Sequence, residues 1–356
     1  MQSEKISVKH NIVIPRLSIG RSGGERVLAR LSDELIHLGY SVEFIVYDSS
    51  SHYYRTKAKT TNLNKKLSKS YLGQLMAVMF IGGYIRKNFR NSIILFNHHL
   101  TCFIYPFIMF CKTLKSVYYI QARESKFQNR LIKKAVCELT YKMSVPKVVN
   151  SNYLFDNELR NQVGIIPPGI DCSSYRGKRK SNSALNIGVL GRKEAYKGTL
   201  VSLRAIDMIA QEVKVPIVIN IGLELPECKF LKANNLLIKH IEIDSESDLQ
   251  SFYRKNDVVL ASGLVEDGAF HYPCAEAMAS KVCVISNWAP LAQTLSTLKV
   301  SHTDEVILKE KIGLFMSLSG EQIEKEISEN YDYVKHNYDW SVVGKKFSSL
   351  IDSIVM

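Results

Sequence analysis

The sequence predicts an α/β protein of two Rossmann-like domains facing each other across a cleft, on three observations. Short β-branched apolar runs alternate with stretches of helical apolar spacing throughout the chain, the pattern of strand–helix–strand units in parallel sheets. The 356 residues, 46% of them hydrophobic, are enough for two cores. A polar, basic stretch without apolar period, CSSYRGKRKSNSA (172 to 184), separates the halves as a linker.

In the first half, strands are read at 11–17, 41–48, 92–97, 116–121 and 147–152. Their near-continuous apolar character suits a sheet covered on both faces. Helical spacing fills 25–38, 72–87, 101–112 and 126–141, whereas residues 49–70 are polar and aperiodic and read as a mobile loop. The second half repeats this pattern, with strands at 185–191, 215–222, 235–243, 257–262 and 282–286 and helices at 200–212, 247–255 and 273–280. The segment 331–354 reads as helical with a break near 337–339.

Charge is unevenly divided. Residues 1–170 hold 25 Lys+Arg against 10 Asp+Glu, and the remainder holds 22 against 24. An anionic partner is therefore expected for the N-terminal half, and an anionic membrane surface or lipid diphosphate fits better than nucleic acid. Basic residues interleaved with aromatics occur only in the short HYYRTKAK (52 to 59), so no nucleic acid is expected. The longest apolar run, TCFIYPFIMFC (101 to 111), contains a proline and is far short of the ~20 residues a spanning helix needs. With no apolar signal core at the start, a cytoplasmic protein is expected, peripheral at the membrane face. Seven cysteines without a CxxC pair point to reduced thiols, not to a disulfide or zinc framework.

Three segments carry candidate chemistry. In IGRSGGERVL (19 to 28), Gly23 and Gly24 open a helix, where free N–H groups favour an anion, although a plain tight turn has the same composition. In GRKEAYKG (191 to 198), Arg192 and Lys197 follow a strand. They are either a solvated surface pair or two cations that neutralise a departing diphosphate. VEDGAFHYPCAEAMASKVCVIS (265 to 286) combines Glu266, Asp267 and His271 with Glu276, read as lying in the first turn of a helix. Glu276 there either accepts from sugar hydroxyls or stabilises the helix. His98 and His99 end the SIILFNHH strand, as ligand contacts or as strand-end surface residues.

The order GGERVL, NSNYLFDNEL, VGIIPPGID, GRKEAYKG and HYPCAEAMASKVCVIS resembles the retaining GT-B glycosyltransferases of family 4, from about residue 11 to the C-terminus. FHYP and YYIQARES are similar to a subgroup with surface-glycan rhamnosyltransferases. The resemblance implies an N-terminal acceptor domain at 1–170 and a donor domain at 171–339, with a last helix at about 340–356 packing back on the first. It implies that Arg192 and Lys197 bind the donor diphosphate and Glu276 the ribose, with Gly23, Gly24, Ala269, Phe270 and Tyr272 also on the donor side. Eight residues before Glu276, where the family has an acid that holds the sugar, stands Gly268, so Glu266 or Asp267 takes that part. The family often has a cleft-facing histidine in the N-terminal domain, so His98 or His99 contacts the donor sugar or the acceptor, and Gln121, Arg123 and Glu124 fall on the acceptor side.

The implied reaction is metal-independent transfer, with retention, of a hexose or deoxyhexose from a UDP-, GDP- or dTDP-sugar to a glycan or lipid-linked acceptor. No cofactor is called for beyond this nucleotide-sugar donor. The alternative is a catalytically silent sugar-nucleotide-binding protein of the same fold.

Overall fold

A computed structural model describes residues 9–48, 53–155, 159–175, 184–264 and 269–355. The chain forms two compact units, one of Met1–Gly169 with Trp340–Met356 and one of Ile170–Asp339.

The first unit opens with β1 (Asn11–Arg16), α1 (Gly23–His37), β2 (Ser41–Asp48), β3 (Lys59–Lys65), α2 (Tyr71–Asn88) and β4 (Ser92–Phe96). It continues with the single turns α3 (His99–Cys102) and α4 (Tyr105–Ile108), then β5 (Leu114–Ile120), α5 (Leu131–Lys142), β6 (Lys147–Val149) and β7 (Gln162–Ile165). All seven strands are parallel, in the order β3-β2-β1-β4-β5-β6-β7. Six of them follow the doubly wound order, which reverses direction between β1 and β4. Ile12, Val13, Ile14, Ile93, Ile94 and Phe96 are fully enclosed, as strands covered on both faces must be.

Two readings from the sequence are corrected here. The stretch 49–70 is not simply a loop, because its residues 59–65 form β3. An edge strand pairs on one side only and tolerates KTTNLNK, whose Leu63 alone packs toward the core. Nor is 101–112 one helix. Pro106 has no N–H to donate back to Cys102, and the chain breaks into α3 and α4.

The second unit contains β8 (Leu185–Gly191), α6 (Thr199–Glu212), β9 (Ile217–Leu223), β10 (Leu236–Ile241), α7 (Glu246–Arg254), β11 (Val258–Leu260), α8 (Tyr272–Ala279) and β12 (Cys283–Ile285). Two helices follow, α9 (Glu305–Ser317) and α10 (Gly320–Tyr338). The parallel sheet runs β10-β9-β8-β11-β12 and reverses between β8 and β11. α6 and α9 cover one face through Leu203, Ile206, Leu308 and Ile312. α7, α8 and α10 cover the other through Phe252, Ala275, Met278 and Val334.

After Asp339 the chain returns to the first unit as α11 (Trp340–Val355). Tyr40 Oη lies 2.8 Å from Ser348 Oγ and donates to Asp352 Oδ1 at 2.7 Å, and Tyr119 meets the Phe347 ring edge-on at 5.4 Å. Gly344 lets α11 approach α1, since a Cβ there would lie 2.8 Å from Glu34 Cβ. Gly169 gives way to the Trp340 indole in the same manner, at 2.4 Å. We expect Gly344→Val to destabilise this unit by about 1–3 kcal/mol through overpacking. The expected sign is a lower urea midpoint in the emission of Trp340.

Candidate functional site

Both strand reversals gather polar groups. At a reversal the two neighbouring crossovers leave in opposite directions, which opens a crevice at the carboxyl ends of the strands.

In the first unit the crevice lies between β1 and β4. Arg16, at the end of β1, donates to Asn97 Oδ1 at 2.9 Å just beyond β4, and is in ion-pair contact with Glu25 in the first turn of α1. Burial brings the Arg16 guanidinium down to about 10, although Glu124 acts in the opposite direction. Ser22 caps α1 by accepting from the Glu25 N–H at 3.3 Å. Gly23 faces open space. Gly24 lies against Gln121, whose Oε1 would be 3.4 Å from a Cβ. The Gln121 amide nitrogen is buried without a hydrogen-bond partner.

Glu124, in a 3₁₀ turn (Glu124–Phe127) after β5, joins the two histidines. It accepts from the His99 backbone N–H at 3.1 Å, is hydrogen-bonded to His99 Nδ1, and lies 3.5 Å from His98 Nε2. Burial raises its carboxyl, but the two histidines and that backbone bond outweigh it and hold it below the usual range. His98 Nδ1 accepts from the Leu100 N–H at 3.2 Å, so the neutral ring carries its proton on Nε2, toward Glu124. Desolvation brings His98 down to about 4, against the pull of Glu124. One donor atom each from His98, His99 and Glu124 lie within 4.8 Å of one another, a two-histidine, one-carboxylate set able to hold a divalent metal. His99 and Glu124, however, already spend these atoms on each other. Arg123 is buried over the Tyr141 ring, 5.0 Å from its centroid.

In the second unit the crevice lies between β8 and β11. Gly191 ends β8 where any Cβ would meet the Glu224 carbonyl oxygen at 1.9 Å. The Arg192 N–H donates to Thr199 Oγ1 at 3.0 Å, folding the 192–198 loop onto the N-terminus of α6. Gly198 makes the turn at φ +73°, lying against Ser262 and Gly263 after β11. The Arg192 side chain is exposed, and Lys197 Nζ sits 5.1 Å from the Tyr196 ring centroid. Asn287 pins Gly263, donating to its carbonyl at 3.0 Å. Gly263 in turn admits the Trp288 indole, where a Cβ would lie 2.5 Å from Cζ2.

His271 stacks on that indole with ring centroids 4.7 Å apart. Its Nδ1 and the Trp288 Nε1 are both buried and without hydrogen-bond partners. Desolvation lowers His271 to about 3, with further lowering by Lys197 and Arg192, so the ring is neutral. Ala269 is buried and accepts from the Ala289 N–H at 2.9 Å. Phe270 stacks on Tyr338 at 5.7 Å and meets Tyr272 edge-on at 5.0 Å.

Glu276 differs from its expected position. α8 starts at Tyr272, which puts Glu276 beyond the first turn, buried and accepting from Tyr253 Oη at 2.8 Å. Glu266 and Asp267 lie outside the described residues. The structure thus brings Arg192 and Lys197 within electrostatic reach of His271, and His98 and His99 together with Glu124. Sequence reasoning missed Arg16, Glu25, Asn97, Asn287 and Trp288. A strand-end position was the available signal for Arg16, Asn97 and Asn287.

The depressed histidines set a pH dependence. Below an ordinary value of 6.5 the unfolded chain takes up protons that folded His98 refuses until about 4 and His271 until about 3. Stability from both is therefore present above 6.5 and lost as pH falls through that window, with Glu124 adding a loss below the usual carboxylate range. We expect the thermal midpoint to fall on acidification from neutral pH, and to fall less steeply in His271→Gln and His98→Gln.

No family model matches this chain, and no curated protein sequence does. Solved structures do. A glycosyltransferase from Rickettsia africae superposes with a TM-score of 0.70 at 16% identity, covering 98% of this chain and 99% of that one. Sucrose-phosphate synthase from Thermosynechococcus elongatus gives 0.73 at 13% identity, covering 97% and 99%. Anabaena HepE, in complex with UDP and glucose, gives 0.69 at 12% identity, covering 96% and 99%. The chain therefore has the α/β fold of GT-B glycosyltransferases, with parallel sheets of seven and five strands.

Proposed function

We propose that this protein is a retaining, metal-independent glycosyltransferase, similar to family 4, that moves a hexose or deoxyhexose from a nucleotide sugar to a glycan or lipid-linked acceptor in surface polysaccharide, glycolipid or glycoprotein glycan synthesis. One observation carries the reading. In a chain with the fold of glycosyltransferases, Arg192, Lys197 and the start of α6 meet at the β8/β11 reversal beside two buried ring nitrogens that have no protein partner. Cations and a helix N-terminus suit a diphosphate, and buried unsatisfied nitrogens suit a polar ligand that completes them.

In this mechanism Arg192 and Lys197 stabilise the negative charge that develops on the leaving diphosphate. That charge needs no metal for its neutralisation, and the diphosphate itself takes the acceptor proton in a front-side attack that retains configuration. Glu266 or Asp267 holds the donor sugar and neutral His271 adds a hydrogen bond. Glu276, steadied by Tyr253, contacts the ribose. In the first unit, His98, oriented by Glu124, serves the acceptor. The UDP and glucose bound by HepE favour a uridine donor over GDP or dTDP. The basic first unit favours a peripheral place at the cytoplasmic face of a membrane.

The test is thermal stabilisation by UDP-, GDP- and dTDP-sugars. A donor at a hundred times its dissociation constant stabilises by about 2.7 kcal/mol. We expect one nucleotide class to do so, unaffected by a chelator. Arg192→Ala and Lys197→Ala should each weaken binding by roughly tenfold or more, the usual loss for a charge-assisted bond. No shift with any donor would refute the reading, whereas a shift without transfer to any acceptor would favour the silent binding protein.

A further inference from the structure

Helix α2 has two apolar faces. Ala77, Val78, Ile81 and Ile85 are buried against the first unit's core. Leu72, Met76, Met79 and Phe80, at the one-face spacing of i, i+4, i+7 and i+8, are between 47% and 69% exposed. A helix on a water-facing surface normally carries charge there. The neighbouring elements do the same. Phe110, just after α4, is 86% exposed, and Leu131 and Ile132 at the start of α5 are 85% and 76% exposed. Gly82 packs α2 against Ile104 before α4, and Lys133 of α5 lies over the Tyr71 ring at the start of α2. These apolar groups thus belong to adjoining elements of one unit.

The charge around them is mainly positive, with Glu138, half-buried on α5, the exception. Between Asp48 and Glu124 the sequence contains 12 Lys or Arg and no Asp or Glu. Lys65, Lys66 and Lys69 lead into α2, Arg86 and Lys87 end it, and Lys112 follows Phe110, all of them exposed. Glu124, where acids resume, is held by His98 and His99.

We propose that the outer face of α2, with the start of α5 and the residues after α4, docks on the surface of an anionic lipid bilayer. Leu, Met and Phe enter the boundary between headgroups and acyl chains while the surrounding Lys and Arg meet lipid phosphates. Among the described residues no helix is long and apolar enough to cross a membrane, so the contact lies on the bilayer and does not span it. A second copy of this chain is a poor occupant, because it would bring the same positive rim against itself. Nucleic acid would use the cations and leave the apolar stripe without a partner. Docking here deepens the transferase reading, since it gives a lipid-linked acceptor a place to be met, but it draws its evidence from this surface alone. It also narrows the contact expected of the basic N-terminal half to an apolar face bordered by Lys65, Lys66 and Lys69.

The test is flotation of the full chain with vesicles of phosphatidylcholine, alone or with about 30 mol% phosphatidylglycerol. We expect binding to the anionic vesicles at least tenfold tighter than to the neutral ones, weakening as salt rises. Replacing Leu72, Met76, Leu131 and Ile132 with Ser removes side chains that already face water and should lower anionic-vesicle binding at least tenfold. Lys66→Gln with Lys69→Gln and Arg86→Gln should reduce both the binding and its salt dependence. Three results would each overturn the proposal: no binding to anionic vesicles, equal binding by the Ser variant, or a dimer that the Ser substitutions dissolve. Tight binding of single-stranded DNA that the Ser variant retains, without vesicle binding, would overturn it in favour of nucleic acid. The sugar-nucleotide thermal shift, read on the same preparations, separates the two readings. Its absence with vesicle binding intact would refute the transferase and leave the docking surface standing.

Discussion

Parallel strands cannot be joined by tight turns, and this constraint organises the molecule. Each crossover must travel back along the sheet, almost always as a helix of the right hand, so a sheet covered on both faces has to reverse its winding once. The reversal falls between β1 and β4 in the first unit and between β8 and β11 in the second. At both places strand ends and a helix start meet. Arg16, Glu25 and Asn97 occupy one reversal, with His98, His99 and Glu124 nearby, and Arg192, Lys197, Gly198 and Gly263 occupy the other.

The two sites solve the problem of buried polarity in different ways. In the first unit the acids find partners within the site, Glu25 in Arg16 and Glu124 in the backbone and ring of His99 and in nearby His98, while the Gln121 amide nitrogen stays unpaired. Such a network is rigid, and losing one member leaves another exposed to the full cost of burial. In the second unit balance is incomplete. His271 and Trp288 stack with His271 Nδ1 and Trp288 Nε1 unpaired, and neighbouring Arg192 and Lys197 further depress His271. A crevice with surplus positive charge and unused nitrogens is suited to accept an anion.

Close approach is the other recurrent device. Gly169, Gly191, Gly263 and Gly344 each stand where a Cβ would fall within 3 Å of a neighbouring atom. Two of them seat the two tryptophans, Trp340 against Gly169 and Trp288 against Gly263. One of these contacts belongs to the return of α11 and the other to the candidate donor crevice, so tight packing serves both stability and ligand geometry.

Periodicity is a local property, and the sequence by itself determined what is local. The α/β class, most strands, helices such as α1, α2, α6 and α8, and the placing of Arg192, Lys197 and the two histidines at strand ends were all legible. β3 was not, because an edge strand paired on one side needs no apolar alternation and resembles a loop. The break between α3 and α4 needed Pro106 to be weighed above an apolar run. β7, α9 and most of α10 went unread: Gln162–Ile165 is short and half exposed and α9 lacks a clean stripe, whereas α10 carries one in Ile323, Ile327, Tyr331, Val334 and Tyr338. Partnership was decided only by tertiary structure. That Glu124 serves His99 from 25 residues away and His98 beside it, that Tyr253 holds Glu276, and that Trp288 lies under His271 all follow from which strands become neighbours. No spacing within a segment encodes that choice. It is made when the sheets assemble, because burying both faces of every inner strand leaves few orders in which the same apolar runs can pack.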